Sequence, residues 1–493
     1  MRLGLTIGQP KANVPKVLIT IHGQSVGLGL CTAANVTVYP GIPTNAAPYS
    51  PVQIYDDNSK TLADPPVYVV EGWRALQPRT TLAGGLYTSG MGGDELTMAK
   101  DLDARLNPAI FVLKRCIDGS SLITNWDANF PTAGPPFLIK GASPQFQAEI
   151  TAQAAVQNIN LDTGNNLIHI YNQGEADVGN TFAAYLAALQ DMDATLKATW
   201  PNSYFHIPRI TNEKDTAGEV RAAQECFIAA RSRASISYND DLPTRDGTHP
   251  TDDAHATRGV RSALAIGDNY LGIAPTSPYW LCQGPVTLAS SAQGITPTMP
   301  THATNDILVL WVSGNGNTNY ATPAGWTEFT NSPQHNAASG TNARLQMWWK
   351  RAASGAEAAP TIADVAGDGN KMGAVFTIRG CKTSGNPFVT SAGAVAAAGT
   401  AVSFPAVDTT GTANCLIINA CAYVGPGVAT RQGSAFANAS LSNVTQHINK
   451  NATTTPGMLL CVGRKAAGGA ASATTATLAT AADQALLTLA MSP

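Results

Sequence analysis

Charge is what this sequence is shortest of. Asp, Glu, Lys and Arg make up 13% of its 493 residues, against about a quarter in an average soluble protein. Their balance is a formal −3. There is no basic surplus of the kind that holds a polyanion, so nucleic acid is not an expected partner. No apolar run reaches the ~18–20 residues of a membrane span, which argues against membrane insertion. The N-terminus has Arg2 but no long apolar stretch, because Gln9, Lys11 and Asn13 interrupt it. No secretory signal is visible, and synthesis in the cytoplasm is expected. The eight cysteines are scattered and none forms C-x-x-C, which disfavours a zinc ribbon or a thioredoxin-like site. Cys415 and Cys421 flank an apolar run. On one strand they stand about 20 Å apart, too far to pair. Buried free thiols are the expectation, as in a chain folded under reducing conditions. There is no H-E-x-x-H, EF-hand loop or Cys/His cluster, so neither a metal nor another cofactor is expected.

What is present is a long chain with two textures. At 493 residues it exceeds what one core normally serves. Up to Pro275, apolar β-rich runs alternate with amphipathic ones. Val17–Ile21, Val67–Val70, Ala109–Leu113 and Leu167–Tyr171 read as strands. Residues 31–66, rich in Asn, Pro and Tyr, read as a loop with short strands. Helices are predicted from Asp94 past Leu102, over Ala148–Asn158, over Phe182–Trp200 and over Asp252–Leu271, the first with an acidic first turn. The alternation predicts an α/β unit over 1–275, a parallel sheet with helices on both faces. Pro278, Pro285, Pro297 and Pro300 punctuate 276–300, which reads as a linker. Beyond Pro300 only 17 of 193 residues are charged. Apolar runs recur there at Ile307–Val312, Leu345–Trp349, Ala374–Ile378, Leu416–Tyr423, Met458–Val462 and Ala485–Leu489. Residues 301–493 therefore read as an antiparallel β-sandwich, of which the jelly roll is one form.

The chemistry gathers at three places. The first strand runs into His22, Gly23, Gln24 and Ser25, putting a serine in a glycine-rich turn at the carboxyl edge of the sheet, where open α/β sheets hold ligands. Such a hydroxyl is a candidate nucleophile if a base and oxyanion donors accompany it. Asp246 and His249 share one short loop before the last helix, at a spacing that lets both side chains project from it. Gln173, Gly174 and Glu175 follow the strand ending at Tyr171. His255 is a rival base, but it falls inside a predicted helix and no carboxylate is assigned to it. His22 reads as a structural donor.

In order and spacing these motifs resemble the SGNH (GDSL-type) hydrolases, most of all the carbohydrate O-acetylesterase branch that includes sialate and acetylxylan esterases. That branch carries Gly-Gln-Ser at its nucleophile, Gln-Gly-Glu after a strand and a late Asp-x-x-His. The resemblance spans about the first 270 residues. It implies a flavodoxin-like three-layer domain in which Ser25 is the nucleophile, His249 the general base and Asp246 its orienting carboxylate. The oxyanion hole would draw on the Ser25 N–H, a glycine N–H and the Gln173 amide. Alignment with the family's Gly-Pro-Glu step gives Gly93, with Gly92 one place away as the alternative. Glu175 would support the site, or else be an ordinary surface Glu. Trp126 would stack on a sugar ring, or else pack. Val26, Tyr171 and Asp94 stand where the branch commonly has Asn, Trp and Pro, departures that bear on substrate more than on reaction.

The segments Pro323–Trp326 and Met347–Ala352 loosely resemble sandwich domains appended to phage tail and bacterial surface proteins. The expectation is a serine esterase that deacetylates polysaccharide, with an acetylated glycan as substrate. Its place would be a phage virion or the extracellular surface, and its partners other virion proteins or further copies of the chain. Two alternatives stand beside it: a receptor-binding or structural protein on an inactive esterase fold, and a lipase or thioesterase. The Asn, Thr and Tyr residues that follow Ser25 favour a polar substrate.

Overall fold

The computed structural model describes residues 16–23, 31–32, 36–39, 42–44, 47–59, 68–77, 91–106, 109–116, 120–123, 144–161, 166–211, 213–215, 217–240, 242–270, 277–316, 318–336, 343–365, 369–424, 433–452 and 455–493. Seven strands form a mixed sheet: β1 (Lys16–Gly23), β2 (Tyr49–Ser59), β3 (Tyr68–Leu76), β4 (Ala109–Cys116), β5 (Leu167–Asn172), β6 (Tyr204–Pro208) and β7 (Ala234–Ser237). Their spatial order is β3-β2-β4-β1-β5-β6-β7. All run parallel except β3, which returns antiparallel on β2 as a hairpin.

β1 is central, and its alternation feeds two cores. Leu18 joins Leu113, Ile150, Leu189, Met192 and Phe227 on one face. Val17, Ile19 and Ile21 join Leu96, Ala99, Leu102, Ala263 and Ile266 on the other. The first core brings in helices α2 (Pro144–Val156), α3 (Phe182–Thr199) and α4 (Glu219–Ala229). The second brings in α1 (Glu95–Leu106) and α5 (Asp252–Tyr270). Helices thus cover both faces, as a parallel sheet requires.

The expectation for residues 31–66 needs correction, because β2 is a full sheet strand. Val52 and Ile54 are buried and pair with Ile110 and Val112. Pro51 and the polar run Asp56, Asp57, Asn58 hid the two-residue period, and Pro51 is tolerated because it falls at an irregularity of the β2–β3 pairing, between Tyr49 and Gln53. Strands β6 and β7 and helix α4 are also additions to the sequence reading.

The second half is a pair of antiparallel sheets. One runs β8 (Tyr279–Gln283), β12 (Lys371–Arg379), β10 (Ile307–Asn315), β11 (Ala343–Arg351), with β9 (Thr287–Ala289) also on β12. The other runs β13 (Phe388–Ser403), β18 (Thr475–Met491), β14 (Cys415–Val424), β17 (Thr455–Lys465), β16 (Ser442–Ala452), with β15 (Gly433–Ala437) on β18. Trp311, Met347 and Phe376 from the first sheet share a core with Ile418, Leu460 and Leu487 from the second, the layout of a sandwich. Cys116, Cys226, Cys282, Cys381, Cys415, Cys421 and Cys461 are buried thiols.

The linker expected over 276–300 also needs correction, since β8 and β9 lie within it. Its prolines flank an edge strand, where a missing donor costs nothing. α4 covers that edge. Glu225 accepts from the Gln283 N–H at 3.2 Å and from Trp280 Nε1 at 3.0 Å. The seam is charged and buried. Glu225 also pairs with Arg209, which pairs with Asp240; Arg221 reaches Asp240 at 2.7 Å. Arg209 donates to the backbone carbonyl of Gln446 on β16 at 3.0 Å. His447 stacks on Trp280 at 4.1 Å between ring centroids.

Candidate functional site

The site is assembled at the carboxyl edge of the first sheet. Gly23, the last residue of β1, is level with Cys116 on β4 and Asn172 on β5. Ser25 is two positions beyond that strand end; Ser25, Gln24 and Trp126 lie outside the described residues. The strand leading there is polar on one side. Thr20 Oγ1 lies 2.7 Å from His22 Nε2 and 2.8 Å from His169 Nδ1, and burial holds His169 well below the ordinary imidazole value. His22 is buried in this cluster, as expected of a structural group.

β5 delivers Gln173 beside the end of β1. The turn that follows needs glycine: Gly174 has φ +143°, and a Cβ there would meet Gln224 Nε2 at 2.9 Å. Gln173 is fully buried. Its Oε1 accepts from Tyr171 Oη at 2.9 Å, and its Nε2 donates to Ser120 O at 3.0 Å and to Asp177 Oδ2. Burial raises the Asp177 carboxyl, against the pull of its donors: Gln173, Ser121 and the Leu122 and Ile123 N–H groups. Glu175 is 5% exposed, so the surface alternative does not describe it. Gly93, at the start of α1, donates its N–H to Glu95 Oε1 at 2.9 Å, and Glu95 also pairs with buried Lys114 at 2.7 Å. Two of the three oxyanion donors that the family resemblance implies, Gly93 N–H and the Gln173 amide, therefore have protein partners in this structure.

The loop after β7 holds the Asp–His pair. Asp246 Oδ2 lies 2.7 Å from His249 Nδ1, and Oδ1 accepts the N–H groups of Thr248 at 3.0 Å and His249 at 2.8 Å. Gly247 turns the chain at φ +78°, a left-handed conformation that favours glycine. The loop is closed on itself: Arg245 N donates to His249 O at 2.7 Å and Thr251 N to Pro243 O at 3.1 Å. Desolvation would raise the Asp246 carboxyl, but the hydrogen bonds from the His249 ring and from the His249 and Thr248 N–H groups together outweigh it and lower it to about 2. An ionised Asp246 keeps the proton on Nδ1 and leaves Nε2 as the basic nitrogen. The His249 side chain is 23% exposed, which a base that meets substrate requires.

His255 has the carboxylate the sequence did not reveal, and the expectation that it lacks one is corrected. Its Nδ1 lies 2.7 Å from Asp94 Oδ1. Arg258, one turn on, donates to Asp94 Oδ2 at 3.1 Å and to Asn172 Oδ1 at 2.8 Å. Burial pushes the Asp94 carboxyl up, but Arg258 and His255 outweigh it and hold the group below its ordinary value. His255 is fully buried, so it is built as an anchor. The network ties the starts of α1 and α5 to the end of β5, and so fixes the stem of the His249 loop. The spacing of His255 and Arg258 on one helical face was the available signal. Among the described residues no group of three or more His, Cys, Asp or Glu is placed to hold a metal, and no helix is long and apolar enough to cross a membrane.

No family model matches this chain, and no curated protein does. Solved structures do. A carbohydrate acetylesterase from Xanthomonas citri aligns at 13% identity and TM-score 0.37, over 70% of this chain and 74% of its own. A protein from Arabidopsis thaliana aligns at 17% identity and TM-score 0.37, over 52% of this chain and 100% of its own. A tail fiber protein from a phage of E. coli aligns at 9% identity and TM-score 0.28, over 97% of this chain and 69% of its own. The chain is thus distantly similar in structure to carbohydrate esterases and to a phage tail fiber.

Proposed function

We propose that residues 1–275 form a serine esterase of the SGNH type that removes O-acetyl groups from carbohydrate polymers. The observation that carries the reading is the 2.7 Å contact between His249 Nδ1 and Asp246 Oδ2 on a loop at the strand-end side of the sheet. Ser25 Oγ attacks the acetyl carbonyl while His249 Nε2 takes its proton. The tetrahedral intermediate collapses, and the sugar hydroxyl leaves with the proton from His249. Water, activated by the same imidazole, then releases acetate from Ser25. The developing oxyanion would take the Ser25 N–H together with Gly93 N–H and the Gln173 amide, each exchanging a present partner. Glu95 tolerates that exchange because Lys114 stays on it at 2.7 Å. Glu175 and Trp126 would line the acceptor side. The low-charge sandwich would dock the enzyme in a phage tail or at a cell surface.

The test is acetate release from acetylated polysaccharides by the full chain, with Ser25→Ala as control. Equal release by wild type and Ser25→Ala would reject the assignment of the nucleophile. Hydrolysis that favours long-chain nitrophenyl esters over acetyl esters would point to a lipase or thioesterase instead.

A further inference from the structure

A cleft of about 520 Å³ lies between the His249 loop and the sandwich. Its size falls within the range of small-ligand sites. Glu213, Leu242 and Pro243 line one wall, and Ser434, Phe436 and Gln446 the other. The first wall belongs to the loop's stem. Glu213 accepts from Thr244 Oγ1 at 2.7 Å, and Pro243 O accepts from Thr251, so the cleft begins within a few residues of Asp246 and His249. The second wall is held by the charged seam, because Arg209 pins the Gln446 carbonyl at 3.0 Å. Gln446 is 7% exposed, and its side-chain nitrogen has no hydrogen-bond partner among the described residues. An unmet buried amide is destabilising, and a ligand oxygen at the cleft would relieve it. Phe436 is half-buried there and offers an apolar ring, while Glu213 offers an exposed carboxylate.

We propose that this cleft is a carbohydrate subsite for a sugar unit of the polymer next to the one being deacetylated. This rests on the esterase reading above. Phe436 would meet the C–H face of the ring, Gln446 would donate to a hydroxyl, and Glu213 would accept from one. That is the mixed apolar and polar lining a sugar needs. Both units of the chain contribute walls, so the sandwich would take part in substrate selection.

The experiment compares 4-nitrophenyl acetate with whichever of acetylated xylan, acetylated pectin and O-acetylated polysialic acid the wild type deacetylates fastest. Phe436→Ala removes the ring and Ser434→Trp fills the mouth from an exposed position. Each is expected to lower the ratio of polymer to small-ester kcat/KM at least five-fold, mostly through KM. An unchanged ratio in both variants, with an active wild type, would overturn the subsite. A wild type that cleaves the small ester and none of the polymers would instead overturn the carbohydrate reading beneath it. A wild type inactive on every substrate would overturn the esterase itself.

Discussion

His255 Nδ1 and Asp94 Oδ1 stand 2.7 Å apart across 161 positions of sequence. The pair joins the first turns of α1 and α5, and Arg258 extends it to Asn172 at the end of β5. Its place is at the carboxyl edge of the sheet and sealed from solvent, so its work is to hold elements in register. His255→Ala would leave a cavity and deprive a buried carboxylate of one donor, a loss of about 2–4 kcal/mol. The melting temperature should drop by several degrees, while ester turnover measured well below the melt should survive within several-fold. A melt unchanged from wild type would remove the anchoring role.

His249 should behave in the opposite way. It sits on a partly exposed loop, so His249→Ala should leave the melt nearly unmoved and abolish hydrolysis of 4-nitrophenyl acetate. Ser25→Ala should match it. Asp246→Asn loses the acceptor that sets the tautomer; in the Ser-His-Asp template that change costs about 10⁴-fold. Comparable loss of activity in His249→Ala and His255→Ala at equal folded fraction would leave the base unassigned.

The sequence reading located what depends on local pattern. β1, α1, α3 and α5 were visible from apolar periods, and Asp246 with His249 from a three-residue spacing. What it missed depends on neighbours distant in the chain. Helix α4 was not read from the sequence; its Arg221 and Glu225 are charged, yet both are buried because β8 and β16 lie against them. The prolines of 276–300 looked like a tether because proline ends strands, yet it also suits an edge strand. Asp94 looked like a departure from a motif, and it is the centre of a network whose other members come from β5 and α5.

Glu225 makes the seam testable. It meets Arg209 from β6's end, Trp280 and Gln283 from β8, and His447 from β16 at 3.5 Å. A chain ending at Pro275 removes the last three and uncovers α4. It should melt about 5–9 °C below the full chain, as expected for a loss of some 3–5 kcal/mol. The full chain should melt in a single transition by calorimetry. A truncated chain that is equally stable would show that the seam contributes little, and that residues 1–275 stand alone.

The same seam predicts how stability depends on pH. Burial, opposed by Glu225, lowers His447 from 6.5 to about 4, and burial lowers His206 on β6 to about 3. Both stay neutral in the folded chain while the unfolded chain takes up protons below pH 6.5. Their contribution is complete above that pH and is lost as pH falls toward 4, at about 3 kcal/mol for His447 when fully expressed. Burial would raise Glu225, but Arg209 and His447 outweigh it and bring it from 4.5 to about 2; its contribution therefore fades later, between those two values. Melting temperature should be level near pH 7–8, fall from pH 6.5 to 4, and continue to fall below that. His447→Phe keeps a ring against Trp280 but cannot titrate. The expected outcome is a shallower decline between pH 6.5 and 4 by differential scanning fluorimetry, with the decline below 4.5 retained. A slope identical to wild type across that upper window would mean that His447 is protonated in the folded chain as readily as in the unfolded one.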